Sequence, residues 1–314
     1  MLLDILKEWG NKMAQDRVII DTDIGSDIDD AMALALASRS KEIVIEGITT
    51  VYGDVDLRAK LSRKLLHIGD RDDVAVYAGI NQPLLHNRDI WMAGHEGEGV
   101  LTEDDQITYE KEHGVDFIID TIMQNSGEIT IVAIGPLTNI AAAIVREPRI
   151  VEHVKEIILM GGVTRLGVNA LTLPKNEHNI RCDPEAASLV FRSGAPIVMV
   201  GLDVTYQVTI DKSDRDRLMA TGEPLNLLLV KQLDRWLEFI EEDVTLMHDP
   251  LAVSLLIDRS IVRTERMKVH VDYDHRQLTG QTVALPDEHG NVDVCLEVDS
   301  EKFRRILLER LLGK

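Results

Sequence analysis

Short apolar, β-branched runs alternate along this chain with segments whose apolar residues recur at helical spacing. Residues 18–20, 43–50, 74–78, 129–134, 157–161 and 197–202 read as buried strands. Residues 57–68, 115–124, 137–145 and 184–192 read as helices between them. A further helix opens at Asp29-Asp30 and continues through Ala31, Met32, Leu34, Ala35 and Leu36. Alternation of this kind predicts an α/β fold: a single open, mostly parallel, Rossmann-like sheet with right-handed crossovers and helices on both faces. Residues 211–257 are mostly helical in pattern, and 267–273 with 292–298 read as a terminal strand pair before a last helix. No repeat, low-complexity tract or Gly/Ser-rich linker interrupts the pattern. One domain over residues 1–314 is therefore expected, with 1–16 as a short amphipathic helical extension.

Composition narrows the possible functions. The 314 residues are 45% hydrophobic and 28% charged, ample for a large core. A formal net charge of −20 argues against nucleic acid and against anionic membranes as partners. Two cysteines, Cys182 and Cys295, cannot build a disulfide framework or a cysteine zinc site, and they fit a reducing compartment. No apolar run is long enough to cross a bilayer, and the start of the chain is no secretory signal, so the cytoplasm is the expected location.

The candidate chemistry centres on Val18 to Asp30, where Asp21, Asp23, Asp27, Asp29 and Asp30 follow a strand and lead into a helix. The carboxyl edge of a parallel sheet is where such folds keep their sites. Asp29 and Asp30 fall at the cap and first turn of the helix, where free N–H groups favour negative charge. Capping needs one carboxylate, however, and the cluster has five. Like charges so close repel unless a cation holds them, and all-oxygen donors suit calcium or magnesium.

Other strand ends carry polar groups that would ring the same edge: Thr49 to Asp54, Ile134-Gly135-Pro136-Leu137-Thr138-Asn139, Gly161-Gly162 and Leu202-Asp203-Val204-Thr205. Asp183-Pro184 opens a helix, with Asp183 as cap. Upstream of it, Glu177 and Asn179 alternate on one side of what reads as an extended segment, placed to bond hydroxyl groups. His248-Asp249-Pro250 repeats the Asp-Pro opening and sets a histidine, whose ordinary pKa suits proton donation, beside a carboxylate. Trp236 and Phe239 read as a core face or a lid, and Trp91 and Tyr206 as structural residues.

Taken together, the acidic turn, Gly135-Pro136-Leu137-Thr138-Asn139, Glu177-x-Asn179 before Asp183-Pro184-Glu185-Ala186-Ala187, and His248-Asp249-Pro250-Leu251-Ala252-Val253 resemble the inosine–uridine preferring nucleoside hydrolases. The resemblance implies an open α/β domain, a bound calcium ion, hydrolysis of the N-glycosidic bond of ribonucleosides, and a homodimer or homotetramer. Carried over, it implies that Asp23 contacts calcium and takes a proton from the attacking water. Asp30, Asp249 and the main-chain carbonyl of Ile134 would complete the calcium site. Asp29, Glu177 and Asn179 would bind ribose, and His248 would protonate the departing base.

Departures from the family pattern are specific. The usual turn reads Asp-x-Asp-Pro-Gly-x-Asp-Asp, whereas this chain has Ile24 for the proline and two extra residues, Asp27-Ile28, if Asp29-Asp30 anchor the alignment. Asp27 is then surplus, free to touch the metal, the sugar or the turn. Asp54 stands where many members have asparagine and is a candidate ribose acceptor. In the loop from Gly94 to Gly99 the histidine is displaced to His95, a candidate substrate contact, and His178 replaces an aromatic residue. Two other readings compete. One is a magnesium-dependent phosphatase of the haloacid dehalogenase type, built on Asp21-Thr22-Asp23. The other is a non-catalytic calcium- or nucleoside-binding protein on the same scaffold.

Overall fold

Neighbouring residues of the first strand, β1 (Asp16–Thr22), point to opposite faces of a sheet, and both faces are covered. Val18 and Ile20 enter one apolar cluster and Ile19 another, all three fully buried. The computed structural model describes residues 15–86, 88–102, 104–274 and 279–313, so the expected N-terminal extension lies outside the described residues except for Gln15 and Asp16, and Asp16 opens β1 instead.

The further strands are β2 (Ile43–Thr50), β3 (Val76–Ala78), β4 (Ile129–Ala133), β5 (Glu156–Met160), β6 (Ile197–Val200), β7 (Thr209–Asp211), β8 (Val244–Leu246), β9 (Val262–Val271), β10 (Thr282–Pro286) and β11 (Val292–Val298). Eight of them join β1 in one nine-stranded sheet, in the order β10-β9-β11-β6-β5-β4-β1-β2-β3. From β6 to β3 every pairing is parallel, and β11 also joins β6 in parallel. β9 lies antiparallel between β11 and β10, and β7 pairs with β8 in a separate ribbon. The expected terminal strand pair is thus a three-stranded antiparallel extension of the main sheet. β10 escapes a pattern reading because it is short and its residues are mostly exposed or half-buried.

Chain order reverses at β1. The chain leaves β1 towards β2 and β3 on one side and returns to β4 on the other, which opens a crevice beyond the carboxyl ends of β1 and β4. The acidic turn follows β1, and Ile134-Gly135 follows β4. The helix after the turn, Asp29–Ser38, is buried almost all round, and its Ala-Leu-Ala sequence permits that close packing.

Gly47 shows how tightly one edge is built. The β1–β2 register slips between Val18 and Ile19, so Ile45 and Gly47 are successive partners and Glu46 is skipped. The Phe117 ring of the helix Gly114–Gln124 stacks on Tyr77 and covers Gly47, where a Cβ would lie 2.6 Å from Phe117. Gly47→Ala is expected to cost about 1–3 kcal/mol through overpacking. Adding Phe117→Leu should recover part of that loss in urea unfolding; a double variant no more stable than Gly47→Ala alone would refute the contact.

Candidate active site

The turn between β1 and its helix is shaped by Gly25, whose φ of +124° is a conformation that side-chain-bearing residues rarely adopt. Ile28 precedes the helix without capping it, so Asp29 and Asp30 both sit within the first turn rather than at the cap. Thr22 donates its hydroxyl to Asp30 Oδ1 and accepts from the Ile24 amide, which ties the strand end to the helix start. Asp249 enters from the other end of the chain, in the first turn of the helix His248–Ser254. Its amide donates to Asp29 Oδ2 at 3.3 Å.

These groups line one cavity of about 340 Å³. Asp23, Asp27, Asp29, Asp30, Asp249, Glu177, Asn179, His248 and Ile134 all contribute to its wall. The carboxyl ends of the strands therefore bring together the residues that the resemblance selects. The tightest donor group differs from the expected one: among the described residues, oxygens of Asp27, Asp29 and Asp30 lie within 4.8 Å of one another.

Electrostatics make the cluster costly without a cation. Burial raises the proton affinity of Asp23, an effect opposed by the Arg58 guanidinium and by His178. Asp27, Asp30 and Asp249 are held well above the usual carboxylate range, first by burial and then by the charge of neighbouring carboxylates, Asp23 and Asp29 among them. Burial brings Asp29 to about 6. Asp29 Oδ1 is buried and has no hydrogen-bond partner. Buried like charges and an unpartnered carboxylate oxygen fit a divalent cation, and the all-oxygen donors fit a hard one.

Three sequence expectations change on inspection. Asp54 caps the helix Val55–Ile68 by accepting the Leu57 amide at 2.9 Å; it is exposed and does not line the cavity. His95 also stays out of the cavity wall: its Nε2 meets the main-chain carbonyl of Ser26 at 2.9 Å, and its ring packs edge-on against Phe239. The segment read as extended before Asp183 is a short helix, His178–Cys182, capped by Glu177. Glu177 accepts the amides of Asn179, Ile180 and Gly162, so its carboxylate chiefly braces the cavity wall. Asn179 donates Nδ2 to the carbonyls of Ile134 and Met160.

His248 differs electrically from its sequence reading. Burial pushes its imidazole down to about 4, so it is neutral near pH 7. Its Nδ1 lies 2.7 Å from the hydroxyl of the fully buried Thr205.

Several wall residues were not selected from sequence. Trp91, Tyr206 and Arg181 line the cavity, as does Trp236, whose indole donates to Thr245 Oγ1. Arg58 is fully buried behind the turn and donates to the carbonyls of Tyr52 and Ile24. A signal for it existed: Arg58 shares the apolar stripe of its helix with Leu61, Ser62 and Leu65. An arginine there has to find acceptors inside the fold.

Comparison with known proteins agrees with this geometry. Residues 18–305 match the family model described as inosine-uridine preferring nucleoside hydrolase. The chain is 35% identical over 313 positions to the inosine-uridine preferring nucleoside hydrolase of Crithidia fasciculata, covering 94% of this chain and 97% of that one. It is 35% identical over 315 positions to the pyrimidine-specific ribonucleoside hydrolase RihB of Escherichia coli O157:H7, covering 96% and 98%. Among solved structures, a plant nucleoside hydrolase superposes with a TM-score of 0.85 at 30% identity, over 95% of this chain and 99% of that one. A purine-preferring ribonucleoside hydrolase from Gardnerella vaginalis gives 0.84 at 29% identity, over 95% and 98%. The chain belongs to the inosine–uridine preferring nucleoside hydrolase family.

Proposed function

We propose that this chain hydrolyses the N-glycosidic bond of ribonucleosides to free base and ribose, with calcium as its resident ion. The observation that carries the reading is the convergence of Asp23, Asp29, Asp30, Asp249 and His248 on one cavity at the sheet's switch point. Asp23, Asp30, Asp249 and the carbonyl of Ile134 would hold the ion. When bound, calcium lowers the pKa of the attacking water and offsets the charge of the cluster.

The protein's own groups supply the rest. Asp23, whose proton affinity burial raises, receives the proton of the attacking water. The neighbouring carboxylates stabilise the positive charge that grows on the sugar as the bond to the base breaks. Asn179 has its Nδ2 committed to two carbonyls, which leaves Oδ1 to accept a ribose hydroxyl. Asp29 has Oδ2 engaged by the Asp249 amide, which leaves Oδ1 as a second acceptor. Tyr206, Trp91 and Trp236 offer faces for the base.

His248 is the group for the leaving base. A neutral imidazole acts here as a hydrogen-bond donor: with the Thr205 hydroxyl donating to Nδ1, Nε2 carries the hydrogen. It steadies the negative charge of the departing base through that hydrogen bond, and the base takes up a proton from solvent as Asp23 returns one to it.

Three outcomes test the reading. A panel including inosine and uridine should release ribose, chelation should abolish the reaction, and the 2′-deoxy analogues should react poorly because Asp29 and Asn179 would be left unpaired. Equal turnover of ribo- and deoxyribonucleosides contradicts the sugar contacts. His248→Ala should slow hydrolysis roughly 10²- to 10⁴-fold with natural bases but far less with a nitrophenyl riboside, whose leaving group needs no proton. An equal loss on both substrates would remove His248 from that role.

The third outcome concerns stability. Because folding raises the proton affinity of Asp23, Asp27, Asp29, Asp30 and Asp249, the ion-free folded state holds protons that the unfolded chain has released. That contribution is complete below the unfolded carboxylate pKa and is lost as pH rises through the raised values. The ion-free melting temperature should therefore fall between about pH 5 and 8, and calcium should flatten the trend. Scanning calorimetry in chelator and in calcium reads both profiles; an ion-free profile flat with pH refutes the assignment.

A further inference from the structure

The two residues that lengthen the acidic turn have a structural context of their own. Asp27 lines the cavity beside Asp29 and Asp30, and oxygens of the three lie within 4.8 Å of one another. Oxygens bound to one calcium at about 2.3–2.6 Å can be separated by at most about 5 Å. The Asp27 and Asp29 carboxyls lie within hydrogen-bond reach of each other, and buried Asp29 Oδ1 receives no donor from elsewhere in the chain, so this end of the cavity needs a shared proton or a cation.

The turn is also clamped from outside. Ser26, directly before Asp27, donates its hydroxyl to Glu96 Oε1 at 2.8 Å, and its carbonyl meets His95 Nε2 at 2.9 Å. Glu96 is fixed in turn by the amides of Ala93 and Gly94, and the His95 ring lies 4.9 Å from that of Phe239. The loop from Ala93 to Gly99 thus grips the chain one residue from Asp27.

We propose that Asp27 is an additional carboxylate ligand of the active-site cation, aimed by the His95 and Glu96 clamp on Ser26. This rests on the calcium reading above and deepens it: His95 acts through the turn, as a positioning residue, and Asp27 acts on the ion. A further charged ligand tightens calcium binding.

Calorimetric titration of the full-length, ion-stripped protein with calcium alone separates the possibilities. Asp27→Asn, nearly isosteric, should weaken calcium binding by roughly 10- to 100-fold, the range for groups that tune a metal site. Its ion-free melting temperature should be no lower than that of the parent, which excludes misfolding. His95→Ala should weaken calcium binding in the parent but have little further effect in the Asp27→Asn background, because the two act in series. Parental calcium affinity in Asp27→Asn overturns the proposal. Additive losses in the double variant overturn the positioning role of His95. A parent protein that binds no calcium refutes the underlying function instead, so the two failures are distinguishable.

Discussion

Repulsion among carboxylates inside a low-dielectric crevice is the constraint around which this protein is organised. Asp23, Asp27, Asp29, Asp30 and Asp249 share one cavity, and each of the first four raises the proton affinity of others. Such a cluster survives in a folded chain only with compensation. Arg58 supplies part of it from behind the turn, the amide of Asp249 another part, and the Thr22 hydroxyl a third. What remains is a deficit of positive charge that suits a divalent cation.

The scaffold places this deficit where a parallel sheet can support it. Reversal of strand order at β1 opens the crevice, and the strand ends deliver Asp23 and Ile134 to it. In the same wall, His248 is neutral and held by Thr205. One cavity thus combines a cluster of carboxylates with an uncharged imidazole. That combination suits the cleavage of a bond between a sugar and a base.

Much of this was legible in the chain, and the limits are physical. The core strands could be read because both their faces are buried, so continuous apolar runs survive in the sequence. The acidic cluster could be read because four of its carboxylates are near neighbours along the chain, and His248-Asp249 because Asp-Pro marks a helix start. Asp54 and His95 were misplaced because residue type and order do not reveal whether a loop side chain faces the crevice or the backbone of another loop. Glu177 was read as a hydroxyl partner when three amides already claim it, which a pattern of alternation cannot show. Arg58 was the reverse case: its place on an apolar stripe was visible, but its acceptors lie on other segments.

The hydrogen bond from the Asp249 amide to Asp29 closes a loop of 220 residues, and it lies in the wall of the cavity. Asp249 lies far towards the C-terminal end, so it is synthesised long after the acidic turn. A nascent chain therefore carries its acidic turn through most of synthesis without the last carboxylate of the set. The carboxylate set is complete only where the helix that carries Asp249 packs against the helix that carries Asp29 and Asp30.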